Sequence, residues 1–176
     1  MKKIFCLLTL LVLCLPARAQ FDGLAPAVDR LKAATLNGQV RELVALMHPR
    51  AIRNQGGEEA ALVKAERSLA VMKAQGLELV SFEVDKPAQF YPAKDDWVAF
   101  LPTVTRYKGS DREVTSSSYL VAARPKAGGD WRFVDGAGVE LPQQLYNFFP
   151  GLVEGIEIPE KHSKIRVISP WTPKQP

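Results

Sequence analysis

Asp135 is the carboxylate in this chain whose neighbours could turn it into an acid or a base. It closes the run Trp131-Arg132-Phe133-Val134 and precedes the bend Gly136-Ala137-Gly138. Upstream, Tyr119, Val121 and Ala123 recur at every second position, the spacing that puts strand side chains on one face. A hairpin with Ala123 opposite Trp131 and Val121 opposite Phe133 sets Tyr119 opposite Asp135. In that register the carboxylate ends an apolar face, where desolvation raises its pKa and suits it to proton transfer. Tyr119 is then the orienting hydroxyl. Arg106, sharing a face with Val98, Phe100 and Val104, is the cation that would hold Asp135 ionised. Phe100 and Phe133 form the apolar wall, so the candidate ligand contacts are Phe100, Tyr119, Phe133 and Asp135. The competing reading makes Asp135 a turn residue that caps the glycine bend.

Other chemistries find less support. His48 and His162 lie far apart, without the convergent spacing a metal site needs, so no metal and no cofactor is expected. His48 reads as a helix-terminal residue. Ser116-Ser117-Ser118 sits inside a strand pattern and lacks a nucleophile elbow. Gly56-Gly57 is followed by Glu58-Glu59, which would repel phosphate, and so reads as a turn. Trp97, Trp131, Phe148 and Phe149 are core by default, or a partner-binding patch if exposed together.

These residues need a scaffold, and the periodicity describes one. Leu24, Val28 and Leu31 recur at helical spacing and stop at Asn37-Gly38. Gln39 to Met47 predicts a second helix, ended by His48-Pro49. Ala51 to Gln55 reads as a short extended piece. Glu58 to Gln75 predicts a long helix with acidic groups in its first turn and a Leu62, Leu69 and Met72 stripe meant for the sheet. From Leu77 the period changes to two. Strands are expected around Val80 to Val84, at Gln89 to Tyr91, from Trp97 to Tyr107 with Pro102 marking an edge or bulge, and through the central hairpin. The expected fold is α+β: N-terminal helices packed on a curved antiparallel sheet of about four strands.

Element order, together with the stretches HPRAIRNQGGEEA, SSSYLVAAR and WRFVDGAG, resembles secreted bacterial members of the nuclear transport factor 2-like, cystatin-like cone superfamily. The resemblance spans roughly Leu24 to Gly138. It implies a cone whose curved sheet leaves a pocket at its open end, in a superfamily that includes isomerases, dehydratases, cyclases and non-catalytic binding modules. None of their active-site motifs maps onto residues here, and fold alone does not fix function.

The address comes from the N-terminus. Lys2 and Lys3, the apolar run Ile4 to Leu15 broken only by Thr9, and Ala17-Arg18-Ala19 form a secretory signal pattern over residues 1–19. Cleavage between Ala19 and Gln20 is expected to deliver a periplasmic or extracellular protein, without stable membrane insertion because the run is too short to span. Leu13 is large for the position before a lipidated cysteine, which argues against anchoring at Cys14. Cys6 and Cys14 both lie in the signal, so no disulfide is expected in the remainder. Removing the three basic residues Lys2, Lys3 and Arg18 from 23 leaves 20 against 19 acidic ones. That near-neutral, interspersed charge gives no footprint for nucleic acid. Residues 20–153 read as one domain and 154–176 as a mostly irregular tail with four prolines. Two functions remain open: a non-catalytic module for a small apolar ligand or a protein partner, and a cofactor-independent isomerase, dehydratase or cyclase-like enzyme using Asp135. A homodimer through the outer sheet face is compatible with both.

Overall fold

The computed structural model describes residues 22–153 and 155–168, the side chain at position 142 apart. The expected signal, both cysteines, the Ala19–Gln20 cleavage point and the prolines at 170, 173 and 176 lie outside the described residues.

The fold is α+β: four N-terminal helices precede a curled antiparallel half-barrel. Its axis is a long hairpin, β3 (Asp96–Lys108) and β4 (Arg112–Pro125), paired from Asp96 opposite Pro125 to Lys108 opposite Glu113. Two shorter strands lie end to end on each side of it. β1 (Glu78–Val84) and β2 (Phe90–Pro92) flank β3, while β5 (Arg132–Asp135) and β6 (His162–Val167) flank β4. The sheet thus has six strands but is four abreast. Pro102 is tolerated inside β3 because it faces the break between β1 and β2. Its carbonyl accepts from the Asp85 N–H at 2.9 Å, and the N–H it lacks would point to the same side.

Half of the hairpin is buried on both faces. On one, Val98, Phe100, Tyr119, Val121, Ala123 and Val134 pack against Leu145, Phe149 and Leu152 at and beyond α5 (Pro142–Phe148). On the other, Leu101, Leu120, Ala122 and Phe133 pack against Leu24 and Leu31 of α1 (Leu24–Leu36) and Leu46 of α2 (Val40–Leu46). We call these the α5 face and the α1 face.

Three sequence expectations change. The β4–β5 register is shifted by one, with Leu120 opposite Asp135, Val121 opposite Val134 and Ala122 opposite Phe133. A shift of one moves side chains to the other face, so Phe133 joins the α1 face. The Phe133 carbonyl fixes this choice by accepting the His48 N–H at 2.8 Å. Residues 51–55 lie in or beside a helix, α3 (Pro49–Asn54), rather than an extended piece. Its cause is a cap: the His48 ring accepts the Arg50 N–H through Nδ1 at 3.2 Å, and Pro49 presets the first helical φ.

The long helix α4 (Glu58–Ala74) packs mainly on α2 and α3 instead of the sheet. Ala61 alone is buried in it, Leu62, Leu69 and Met72 are half-buried, and Val63 and Val71 are exposed. α1 already occupies the sheet face that α4 was expected to cover. The described tail is irregular apart from β6, which pairs with β4, and Ile156 and Ile158 pack on the α5-face core. The aromatic quartet is divided, with Trp97 and Trp131 on the α1 side and Phe148 and Phe149 on the other.

Candidate functional site

Phe100 and Tyr119 are the two predicted ligand contacts that the fold brings together. They sit on neighbouring strands of the α5 face, rings edge to face with centroids 5.9 Å apart. Tyr91 of β2 extends the cluster, meeting Phe100 edge to face at 5.8 Å. Tyr91, Phe100 and Pro102 line a cleft of about 330 Å³. Lys86, Ala88 and Gln89 contribute from the segment before β2, and Glu157 and Pro159 from the tail. Gln89 Nε2 donates to the Tyr91 hydroxyl at 2.5 Å, orienting the ring. Sequence reasoning found Phe100 but missed Tyr91, whose place follows from β2 pairing with β3, and the tail's share of the wall.

Phe133 lies on the opposite face and has no part in this cleft. Arg106 does not reach Asp135. Its Nη1 bonds Glu83 Oε1 and lies 3.4 Å from Ser81 Oγ on an exposed stretch of the sheet. Both partners come from β1, which occupies the flank of β3 beside Arg106.

Asp135 itself caps a turn. Its Oδ1 accepts the Ala137 N–H at 2.9 Å, opening the 3-10 turn Gly136–Gly138. Gly136 then crosses directly over Tyr119: a Cβ there would stand 2.4 Å from the Tyr119 carbonyl oxygen. Asp135 is therefore near Tyr119 through its neighbour in sequence, without being its strand partner. Crowding by the protein pushes the Asp135 carboxyl above the usual carboxylate range, while the Ala137 N–H and the Lys161 ammonium pull it down without cancelling the rise. The residue as a whole is nonetheless exposed to solvent, which tempers the rise. Burial raises the Tyr119 and Tyr107 phenols, and the Asp135 charge adds to both. Lys161 donates to the Gly136 carbonyl at 3.4 Å and to that of Val139, strapping the tail over the turn.

The other buried titratable groups brace the fold. Burial, then the charges of Arg50 and Arg53, lower the His48 pKa to about 4, so its ring is neutral at pH 7 and free to cap α3. Its ring packs edge to face on Phe149, with centroids 5.2 Å apart. Asp96 is buried at the start of β3 and faces Arg50, Nη1 to Oδ2 at 3.5 Å. Burial raises its pKa and Asp95 adds to the rise, against the pull of Arg50 and Lys126. Arg50 also donates to the Phe148 carbonyl, so this cluster clamps α3 and α5 to one end of the hairpin. Nothing in the sequence pairs Arg50 with a residue so far along the chain.

A second, wider depression of about 650 Å³ lies among α1, α2 and α4, with Arg30 and Glu42 joined across it. Among the described residues no group of three or more His, Cys, Asp or Glu side chains is placed to hold a metal. No described helix is long and apolar enough to cross a membrane. The chain matches no protein-family model, no curated protein and no solved structure.

Proposed function

We propose that the protein is an exported, non-catalytic binding module that holds a small apolar ligand against Tyr91 and Phe100. The cleft carries this reading. Its apolar floor is built from β2 and β3, its rim is polar, and its volume reaches the lower end of the range for small-molecule sites. The acid–base candidates support it from the other side. Asp135 caps a turn, Arg106 pairs with Glu83 and His48 caps a helix. The enzyme alternative rests on the raised pKa of Asp135 alone, and that carboxylate's best hydrogen bond is already spent on Ala137. The superfamily that the chain resembles holds both enzymes and binding modules and so is compatible with this role without favouring it, and the signal pattern over residues 1–19 supports export.

Titration with 8-anilinonaphthalene-1-sulfonate, followed by amide NMR, tests the cleft. Saturable shifts confined to residues 86–91, 100–102 and 157–159 are expected. Tyr91→Ala should weaken binding about tenfold, the effect of losing an aromatic contact of about 1.4 kcal/mol. Shifts centred elsewhere, or binding indifferent to Tyr91→Ala, would remove the proposal. Export is tested by intact mass: a chain beginning at Gln20 is expected, and a lipid-modified chain beginning at Cys14 contradicts it.

A further inference from the structure

The register of the sheet sets up rows of side chains that cross all four strands and end at β6. One row on the α5 side runs Glu78, Lys108, Glu113, Arg166, each directly opposite the next. Its charges alternate from the β1 edge to the β6 edge. The adjacent row on the same side runs Ser81, Arg106, Thr115, Lys164. Between them, on the other side of the sheet, Leu79, Tyr107, Val114 and Ile165 make an apolar row. Every residue of β6 is exposed, with Ile165 at 63% and Val167 at 74%. Among the described residues β6 pairs only with β4, and no described strand lies along its outer edge.

From this edge we infer a docking site for an extended acidic segment of a partner protein, added beside β6 as a further antiparallel strand. Main-chain hydrogen bonds supply attraction in this mode, and alternate side chains supply selectivity. Each row states what the next strand should carry. Opposite Arg166 the alternation calls for a carboxylate, and opposite Lys164 a second one. Opposite Ile165 it calls for an apolar residue. The matching segment alternates acidic, apolar, acidic, because opposed cross-strand pairs attract and like charges repel. A second copy of this chain fits poorly. Pairing two β6 strands about a two-fold axis sets Lys164 against Lys164 or Arg166 of the partner subunit. The paired residues of this edge are none of those that line the Tyr91–Phe100 cleft, so the inference does not rest on that reading.

The test uses the full chain and two blocked hexapeptides of equal composition, one alternating glutamate and valine, the other with the glutamates in one block. Amide NMR and sedimentation are the readouts. Shifts and exchange protection along residues 162–167 are expected with the alternating peptide only. The double variant Lys164→Glu, Arg166→Glu should weaken binding about tenfold, and Lys164→Glu alone, which faces Thr115 and sets no carboxylate opposite Glu113, should act in the same direction with β6–β4 pairing intact. The double variant should also bind an alternating lysine and valine peptide that the parent chain rejects. Equal binding of both glutamate peptides, no response at residues 162–167, or affinity unchanged by the double variant overturns the proposal. Unchanged spectra would leave the cations only the task of protecting an edge from aggregation. Self-association through β6 in sedimentation would assign the edge to a second copy instead.

Discussion

The two halves of the β3–β4 hairpin are one continuous ladder, yet they live in different surroundings. Near the β2 and β5 end, Val98 to Leu101 and Leu120 to Ala123 are buried on both faces, by α1 and α2 on one side and α5 with the following turn on the other. Near the β1 and β6 end, Thr103 to Lys108 face Glu113 to Ser118, and most of these residues are half-buried or exposed. Backbone pairing is the same in both, so the difference lies in side-chain cover. One half carries most of the buried core of the sheet, and the other leaves rows of charge, hydroxyl and apolar groups half-buried or exposed among the described residues. The Tyr91–Phe100 cleft sits where the two regimes meet.

The largest test of this division is truncation on either side of it. Leu101→Ala, in the doubly covered half, should cost about 2–5 kcal/mol in urea unfolding. Ile165→Ala at the exposed end should stay within about 0.5 kcal/mol. Equal losses would erase the distinction.

Acid should next act on the covered end. The folded-state pKa of His48 is about 4, below its unfolded value near 6.5. Between the two, the unfolded chain binds the extra proton, so stability falls as pH drops through that window. The loss should be on the order of 3 kcal/mol. His48→Asn keeps a side-chain acceptor for the α3 cap and should flatten the curve over that range. A variant that retains the full slope would place the titration elsewhere. Asp96 has the opposite sign: its raised pKa makes the ionised form the costly one, so its share of stability declines as pH rises above the usual carboxylate range.

Most strand and helix positions were legible in the sequence, because alternation in Trp131-Arg132-Phe133 and the Leu62, Ala65, Leu69 stripe are local signals, whereas the helix at Pro49–Asn54 was read as extended. Partners were not. The β4–β5 register depends on the loop that follows Pro125 and on His48 reaching the Phe133 carbonyl, and both are remote choices. That shift of one residue divided Phe133 from Phe100 and Tyr119 and set Asp135 opposite Leu120 instead of Tyr119, while the turn cap at Asp135 is the competing reading that the glycine bend had offered. The α4 stripe had the same ambiguity: periodicity names the buried face, but not what buries it. The Arg50–Asp96 clamp had no local signature at all.

α4 supplies the next effect in size. Leu69 rests against Gly38 at the α1–α2 turn, where a Cβ would come within 3.5 Å of it. Because this contact is partial, Leu69→Ala should cost about 1 kcal/mol, short of the core range. A loss above about 3 kcal/mol would require a covered α4. The smallest effect belongs to Ser118, near the border between the halves. Its Oγ is buried without a hydrogen-bond partner among the described residues. Ser118→Ala should be neutral or stabilising by up to about 1 kcal/mol, since it removes an unpaired polar group. Destabilisation by as much would mean that the hydroxyl is satisfied.

Native-state hydrogen exchange across the hairpin tests the division most directly, because it reads each amide in the intact chain. Amides of Val98, Leu101, Val121 and Ala123 that lie in the ladder should exchange only through global unfolding, with a denaturant dependence equal to that of the whole domain. Ladder amides of Thr105, Tyr107, Val114 and Ser116 should exchange faster, through openings that expose little surface and depend weakly on denaturant. A single protection level with one denaturant slope along both halves would show the hairpin opening as one unit, and would contradict the separation of scaffold from recognition edge.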